Sequence, residues 1–402
     1  MKKEKKEKKI ANPMTEIKLD IPKDEIWTYR IDGLAEPHVN KPYTKYAMKK
    51  AIFVVSIIIA ITLSMYFSIR AVHKKTFEYK DTGSGTYEFV KFSNTGYITE
   101  LDVDFISHIE YNKEEADPEK NFTIVKDTAQ PIVAIKEYAF NCDEKLEIVR
   151  IGADVSEIDG KSFYTCRSLK QIIVDENNKH FCDIDGVLYN KDKTEIICFP
   201  MNHAAYLREK YGYTEPVAAD SPDYTKYVDE VLTYVIPSTV EKIGKLCFNN
   251  SWDIVNVYMP EGIKTIETLA FFKNYALNGV YSYTTDEVIE ATDVTALEMM
   301  TDIYPSLPEG LEYIGSDAFS YNQGITYLYI PDSVTYIGHH AFWATVYESD
   351  GQLHGIAQVN TPLEKNEFDS IGKGGNWRPQ YGGGFGKKIS VNYSAERAEI
   401  EK

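Results

Sequence analysis

The chain has 402 residues, 43% of them hydrophobic and 26% charged, which is the balance of a folded protein larger than one small core. Wholesale disorder and a polytopic membrane protein are both excluded. Its net charge of −17 comes from 61 acidic against 44 basic residues, so a general nucleic-acid binder is excluded as well.

The first 50 residues carry 13 Lys and Arg against 8 Asp and Glu, a net charge of +5, and open on MKKEKKEKK. Within them, residues 21–42 set Trp27, Tyr29, Ile31 and Leu34 among prolines and charges. That pattern reads either as a tether with scattered apolar residues or as a short docking motif for a cytoplasmic partner. Residues 51–69, AIFVVSIIIAITLSMYFSI, contain no charge. As a helix they would span ~28 Å, close to the hydrocarbon thickness of a bilayer. Lys45, Lys49 and Lys50 precede the run, and Arg70, Lys74 and Lys75 follow it. We expect a single-pass signal anchor rather than a cleaved leader, with the N-terminus cytoplasmic and everything after the span outside a bacterial membrane. A long acidic domain is compatible with that orientation, because long domains cross largely regardless of charge.

Residues 70–85 read as a linker, and 86–134 alternate polar and apolar residues (TYEFVKF, YITELDVDF) as an N-terminal cap would. From 135 to 348 one unit recurs. Phe140 and Phe163, Phe248 and Phe271, and Phe319 and Phe342 are each 23 apart. The same spacing separates Ile135 from Ile158, Ile243 from Ile266, and Ile314 from Ile337. In the stretch 325–330, Ile325, Leu328 and Ile330 should point inward, with Thr326, Tyr327 and Tyr329 facing away. Pro331 ends that strand, Val334 and Ile337 form a second side, and Ala341-Phe342 packs the next corner. No unit can bury its Phe and Ile alone, so neighbours must stack into a solenoid. Insertions at about 176–230 and 278–303 interrupt the register and should distort the sheet. The first of them contains two apolar strands, VLY and TEIICF, joined by the turn NKDK. Residues 349–402, with Trp377 amid glycines, read as a C-terminal cap and flexible tail.

The register I-G-x-x-A-F…L-x-x-I-x-I-P-x-S-V-x-x-I resembles the BspA-type leucine-rich repeat family of bacterial surface proteins. The hairpin at 176–200 is similar to that family too. The resemblance implies a leucine-rich repeat solenoid, with parallel strands and turn or short helical corners, that binds proteins or mediates adhesion to host or neighbouring cells.

Chemistry is absent from the pattern. The glycine run 372–388 lacks G-x-x-x-x-G-K-[ST], and His339-His340 is adjacent rather than at i, i+4. Asp183 and Asp185 open like a calcium loop, but Val187, Leu188 and Thr194 then occupy the wrong places. Cys142 and Cys166, 24 apart in neighbouring coils, read as buried small hydrophobes, with a disulfide or a reactive pair as the alternative. We therefore expect no enzyme, no cofactor and no metal. The thirty tyrosines, where roughly 3% would be ordinary, are the one compositional outlier. One strand position carries Arg150, Ile173, Val235, Tyr258 and Tyr329, and also Tyr281 if the fourth strand follows Leu277 directly. Tyr327 and Asn256 stand beside it. This stripe is either a cross-strand ladder that steadies the sheet or the exposed face that binds a protein ligand. On the second reading, Tyr258, Tyr327, Tyr329, Asn256 and Arg150 form the site. An envelope scaffold, joining a partner of 21–42 to an external one, is the alternative.

Overall fold

The computed structural model describes residues 76–398 apart from 95–96, 113–121, 142, 291, 293–294, 344, 350–351, 357 and 382–388. The anchor at 51–69, the motif at 21–42 and Cys142 lie outside the described residues. Among the described residues, no helix is long and apolar enough to cross a membrane.

The chain begins with β1 (Phe77–Asp81), β2 (Tyr87–Phe92), β3 (Glu100–Val103), β4 (Phe105–Tyr111) and the long β5 (Phe122–Ile135). Repeat strands follow as β6 (Ile148–Ile151), β7 (Glu157–Ile158) and β8 (Gln171–Val174). The first insertion folds as β9 (Phe181–Ile184), β10 (Val187–Asn190), β11 (Glu195–Cys198), α1 (His203–Lys210) and α2 (Tyr224–Val231). The array resumes with β12 (Thr233–Val235), β13 (Lys242–Ile243), β14 (Asn256–Pro260), β15 (Thr265–Ile266) and β16 (Gly279–Thr285). The second insertion supplies α3 (Thr295–Met299) and β17 (Met300–Tyr304). Then come β18 (Tyr313–Ile314), β19 (Tyr327–Tyr329), β20 (Tyr336–Ile337), β21 (Thr345–Ser349), β22 (Gln352–His354) and β23 (Gln358–Asn360). The chain closes with α4 (Lys365–Ser370), β24 (Gly372–Lys373), β25 (Gln380–Tyr381) and β26 (Val391–Asn392).

Two layers of strands run along the solenoid. The layer of short I-G strands forms one sheet in the order β24-β20-β18-β15-β13-β11-β10-β9, parallel except within the hairpin β9-β10-β11. The other layer is broken at both insertions, into β3-β6-β8, β12-β14-β16-β17 and β19-β23-β26. Strand β17 runs antiparallel to β16, which ends that second sheet short of β19. The VLY and TEIICF strands do form an antiparallel pair.

Between the layers the Phe rings stack. Phe89, Phe140 and Phe163 follow one another at 5.1 Å. After the hairpin, Phe199, Phe248, Phe271, Phe319 and Phe342 continue at 4.7–5.4 Å with planes within 27°. The stack therefore starts with Phe89, inside the segment read as a cap. Ile325, Leu328, Ile330, Val334 and Ile337 are all buried as expected. Each corner also bonds to the next coil, the Phe248, Phe271 and Phe319 amides donating to the carbonyls of Ala270, Ala318 and Ala341 at 2.7 Å.

The I-G signature has a steric cause. A Cβ at Gly338 would meet the Ser316 nitrogen at 2.3 Å, and one at Gly315 the Thr268 nitrogen at 2.3 Å. Coils approach too closely there for any side chain. The corners also hold non-glycine residues at positive φ two places before the Phe (Leu246, Leu269, Asp317, His340) and two after it (Asn250, Lys273, Tyr321). Such backbone costs roughly 1–2 kcal/mol per residue and persists because the stacked coils on both sides determine it.

The position three after the Phe varies in sequence, and Asp143, Cys166, Ser251, Asn274 and Asn322, which occupy it, are all buried. The Asn274 Oδ1 accepts from the Ser251 amide at 2.8 Å, and the Asn322 Oδ1 from the Asn274 amide at 2.9 Å. Each side chain ties off the turn of the coil before it. Among the described C-terminal residues, β23 and β24 pair with strands of the array. Trp377 sits edge-on to Phe342 at 6.5 Å, and β23 and β26 continue the third sheet.

Candidate binding surface

The predicted stripe is in register but not continuous. Tyr258 pairs with Val235 on one side and with Tyr281 on the other, and the two tyrosine rings stack at 4.9 Å and 23°. Asn256, two residues earlier on the same face, is half-buried, its Nδ2 donating to Thr233 Oγ1 at 3.3 Å. Arg150 faces Ile173 in a separate sheet. There it is half-exposed and bridges Glu100 at 2.8 Å and Asp102 at 3.6 Å. Tyr327 and Tyr329 lie in the third sheet, opposite Gln358 and Asn360. The structure thus unites Asn256, Tyr258 and Tyr281, and separately Tyr327 with Tyr329, while Arg150 stands apart.

Much of the face that was expected to be open is covered by the chain itself. Val235, Tyr283, Ile289, Ala296 and Met300 form a small second core over the sheet, with Tyr258 packed at its margin. Burial pushes the Tyr258 hydroxyl up to about 12, with the neighbouring Tyr281 and Asp229 adding to the shift. Tyr329, expected to project into solvent, is only 3% exposed. The segment after the second insertion lies against it: the Leu307 amide donates to the Tyr329 carbonyl at 3.3 Å, and Pro305 and Ser306 line the same cavity. Burial lifts its hydroxyl to about 12 as well. Tyr327 is half-buried. Some tyrosines lie in the interior: Tyr189, Tyr234 and Tyr283 are fully buried, and the first two share a hydroxyl–hydroxyl bond.

The position four after the Phe supplies solvent-facing aromatic area, beside the exposed Tyr97, Tyr111, Tyr138 and Tyr336 found elsewhere. Trp252 is 47% exposed and Tyr275 is 44% exposed, in the coils of Phe248 and Phe271. The same position in the coil of Phe163 is the exposed Arg167, whose guanidinium stands 5.5 Å from the Trp252 ring centre. Sequence reasoning missed this row. The signal was present: one register position carries Arg, Trp and Tyr in three units. Among the described residues, no three metal-ligating side chains converge.

A family model described as BspA type leucine rich repeat region matches six copies, over residues 119–203 and 224–347. No curated protein matches the chain. Among solved structures, the pneumococcal vaccine antigen PcpA is 20% identical, with a TM-score of 0.42 over 63% of this chain and 49% of that one. A leucine-rich cell surface protein of Faecalibacterium prausnitzii is 22% identical, with a TM-score of 0.38 over 60% of this chain and 55% of that one. A leucine-rich repeat protein of Bacteroides ovatus is 15% identical, with a TM-score of 0.30 over 77% and 70%. The chain therefore spans about half the length of the first two.

Proposed function

This chain belongs to the BspA-type leucine-rich repeat family, and from that premise we propose that it is a membrane-anchored binding protein. It holds a protein ligand outside the bacterial cell and performs no chemistry of its own. The uncharged run 51–69 serves as the anchor, and the Lys-rich start keeps the N-terminus cytoplasmic.

The row Arg167, Trp252 and Tyr275 carries this reading. Binding energy concentrates in Trp, Tyr and Arg side chains that lose their water on contact, and this row offers all three on one line of coils. Exposing Trp252 and Tyr275 gains the fold nothing, whereas covering them in a complex removes apolar area from water. The half-buried Tyr258 and Tyr327 lie on the strand layer and contribute less area to any partner.

The double variant Trp252→Ala/Tyr275→Ala tests the assignment. Affinity for a protein retained by the wild-type chain from a surface extract should fall by about 2 kcal/mol or more. The melting curve should be nearly unchanged, because surface substitutions usually shift stability by less than ~0.5 kcal/mol. Unchanged affinity in this variant, with loss in Tyr258→Ala/Tyr327→Ala, would return the contact surface to the strand face.

A further inference from the structure

The second insertion leaves a gap between β17 and β19, and polar residues fill it. Ser282 sits in register with Met259 on the inward row, and Ser306 follows the insertion. They are 0% and 3% exposed, and their hydroxyls are 3.0 Å apart. Ser282 puts a hydroxyl among apolar core positions, and buried hydroxyls need polar partners. Glu261 and Glu309 add two carboxylates, with side chains 20% and 39% exposed.

Arg397, from the last described residues, fills the gap. Its Nε donates to Ser306 Oγ at 2.9 Å, and one terminal nitrogen contacts both Glu261 and Ser282. The other terminal nitrogen lies 3.4 Å from Glu309, and the guanidinium stands 3.8 Å from the centre of the Tyr304 ring. Carboxylates beside the nitrogens and an aromatic face under the plane suit a guanidinium better than an ammonium.

The receptor half is ordered by bonds that do not involve Arg397. The two serine hydroxyls hold one another, and the Glu309 amide donates to Glu261 Oε2. Burial raises the Glu309 carboxyl, nearby Glu261 and Asp332 add to that, and Arg397 opposes it. Arg397 thus supplies the charge that holds the Glu309 carboxyl down, while the serine pair and the Glu309–Glu261 bond are made without it. The occupant arrives on the segment after the two-residue β26, which is tied by the Ser394 amide to the Leu363 carbonyl at 3.1 Å, by Ser394 Oγ to Glu364 at 2.7 Å and by the Ala395 amide to the Thr361 carbonyl at 2.9 Å.

We propose that Glu261, Ser282, Tyr304, Ser306 and Glu309 form a binding site for an arginine on an extended segment of a protein partner, and that Arg397 occupies it in cis. A partner's arginine competes with the chain's own. This surface is separate from the Arg167, Trp252 and Tyr275 row, so either assignment can fail without the other.

The test uses the full chain with Arg397→Ala and the tetrapeptide acetyl-Ala-Glu-Arg-Ala-amide as probe, followed by calorimetry or NMR titration. Saturable binding to Arg397→Ala is expected, about tenfold or more tighter than to the unmodified chain, whose site is filled. Adding Glu261→Gln, or the more exposed Glu309→Gln should the first fail to fold, is expected to remove it by a similar factor. A probe with Lys in place of Arg should bind at least several-fold more weakly. No binding to the folded Arg397→Ala chain, or equal binding to it and the unmodified chain, would overturn the proposal and leave Arg397 as a structural clasp. Equal binding of the Lys probe would overturn the guanidinium assignment.

Discussion

Phe319→Ala is expected to cost about 3–5 kcal/mol, the range for truncating a buried aromatic ring. Phe319 is 1% exposed and lies between Phe271 at 5.0 Å and Phe342 at 5.4 Å. Its removal opens a cavity and also ends two near-parallel ring contacts of the kind worth about 0.5–1.5 kcal/mol each. In a stacked array each coil rests on its neighbours, so the loss should spread to adjacent units. Denaturant unfolding with probes in flanking coils will read this. A wild-type midpoint would mean that the Phe register is not the core.

Acidification should weaken the fold through His203, with the second-largest effect. This histidine is 1% exposed, packs 4.9 Å from the Phe199 ring and donates from Nδ1 to the Lys170 carbonyl at 3.0 Å. Burial drives its pKa down from 6.5 to about 4, against the smaller pulls of the Lys170 carbonyl and then Asp185. The unfolded chain therefore takes up a proton below pH 6.5 that the folded chain refuses until about pH 4. Stability is full above pH 6.5 and is lost as pH falls towards 4, by ~2–3 kcal/mol from this group. Urea unfolding at neutral pH and at about pH 4.5, on wild type and His203→Gln, isolates the contribution, since the carboxylates titrate in both. Equal losses in the two proteins would show that His203 takes up its proton as readily in the folded chain as in the unfolded one.

The inward half of the solenoid was legible because it is periodic. Spacings of 23 between Phe140 and Phe163 or between Ile314 and Ile337 state which side chains face the core, and all four are largely withdrawn from water. The outward half is not periodic, because distant segments decide it. Tyr329 occupies an outward strand position yet is covered by residues 305–307, which the second insertion delivers. Val235 is likewise outward and fully buried, under Ile289, Ala296 and Met300. Alternation along a strand tells which face a residue takes and is silent on what lies over that face. Trp252, Tyr275 and Arg167 were missed for a different reason: they lie in a corner, where no alternation marks them and only the unit-to-unit register does. Ser282 and Ser306 stood out only once Arg397, more than 90 residues later, was seen between them.

The most direct measurement of the binding assignment is site-specific photocrosslinking on intact cells. A photoreactive phenylalanine analogue replaces Trp252 in one strain and Val288, the 64%-exposed reference position, in another. We predict one discrete protein adduct from position 252, removed by external protease and weakened by Tyr275→Ala, and none from position 288. Absence of an adduct at 252, or the same adduct from both positions, would contradict the account.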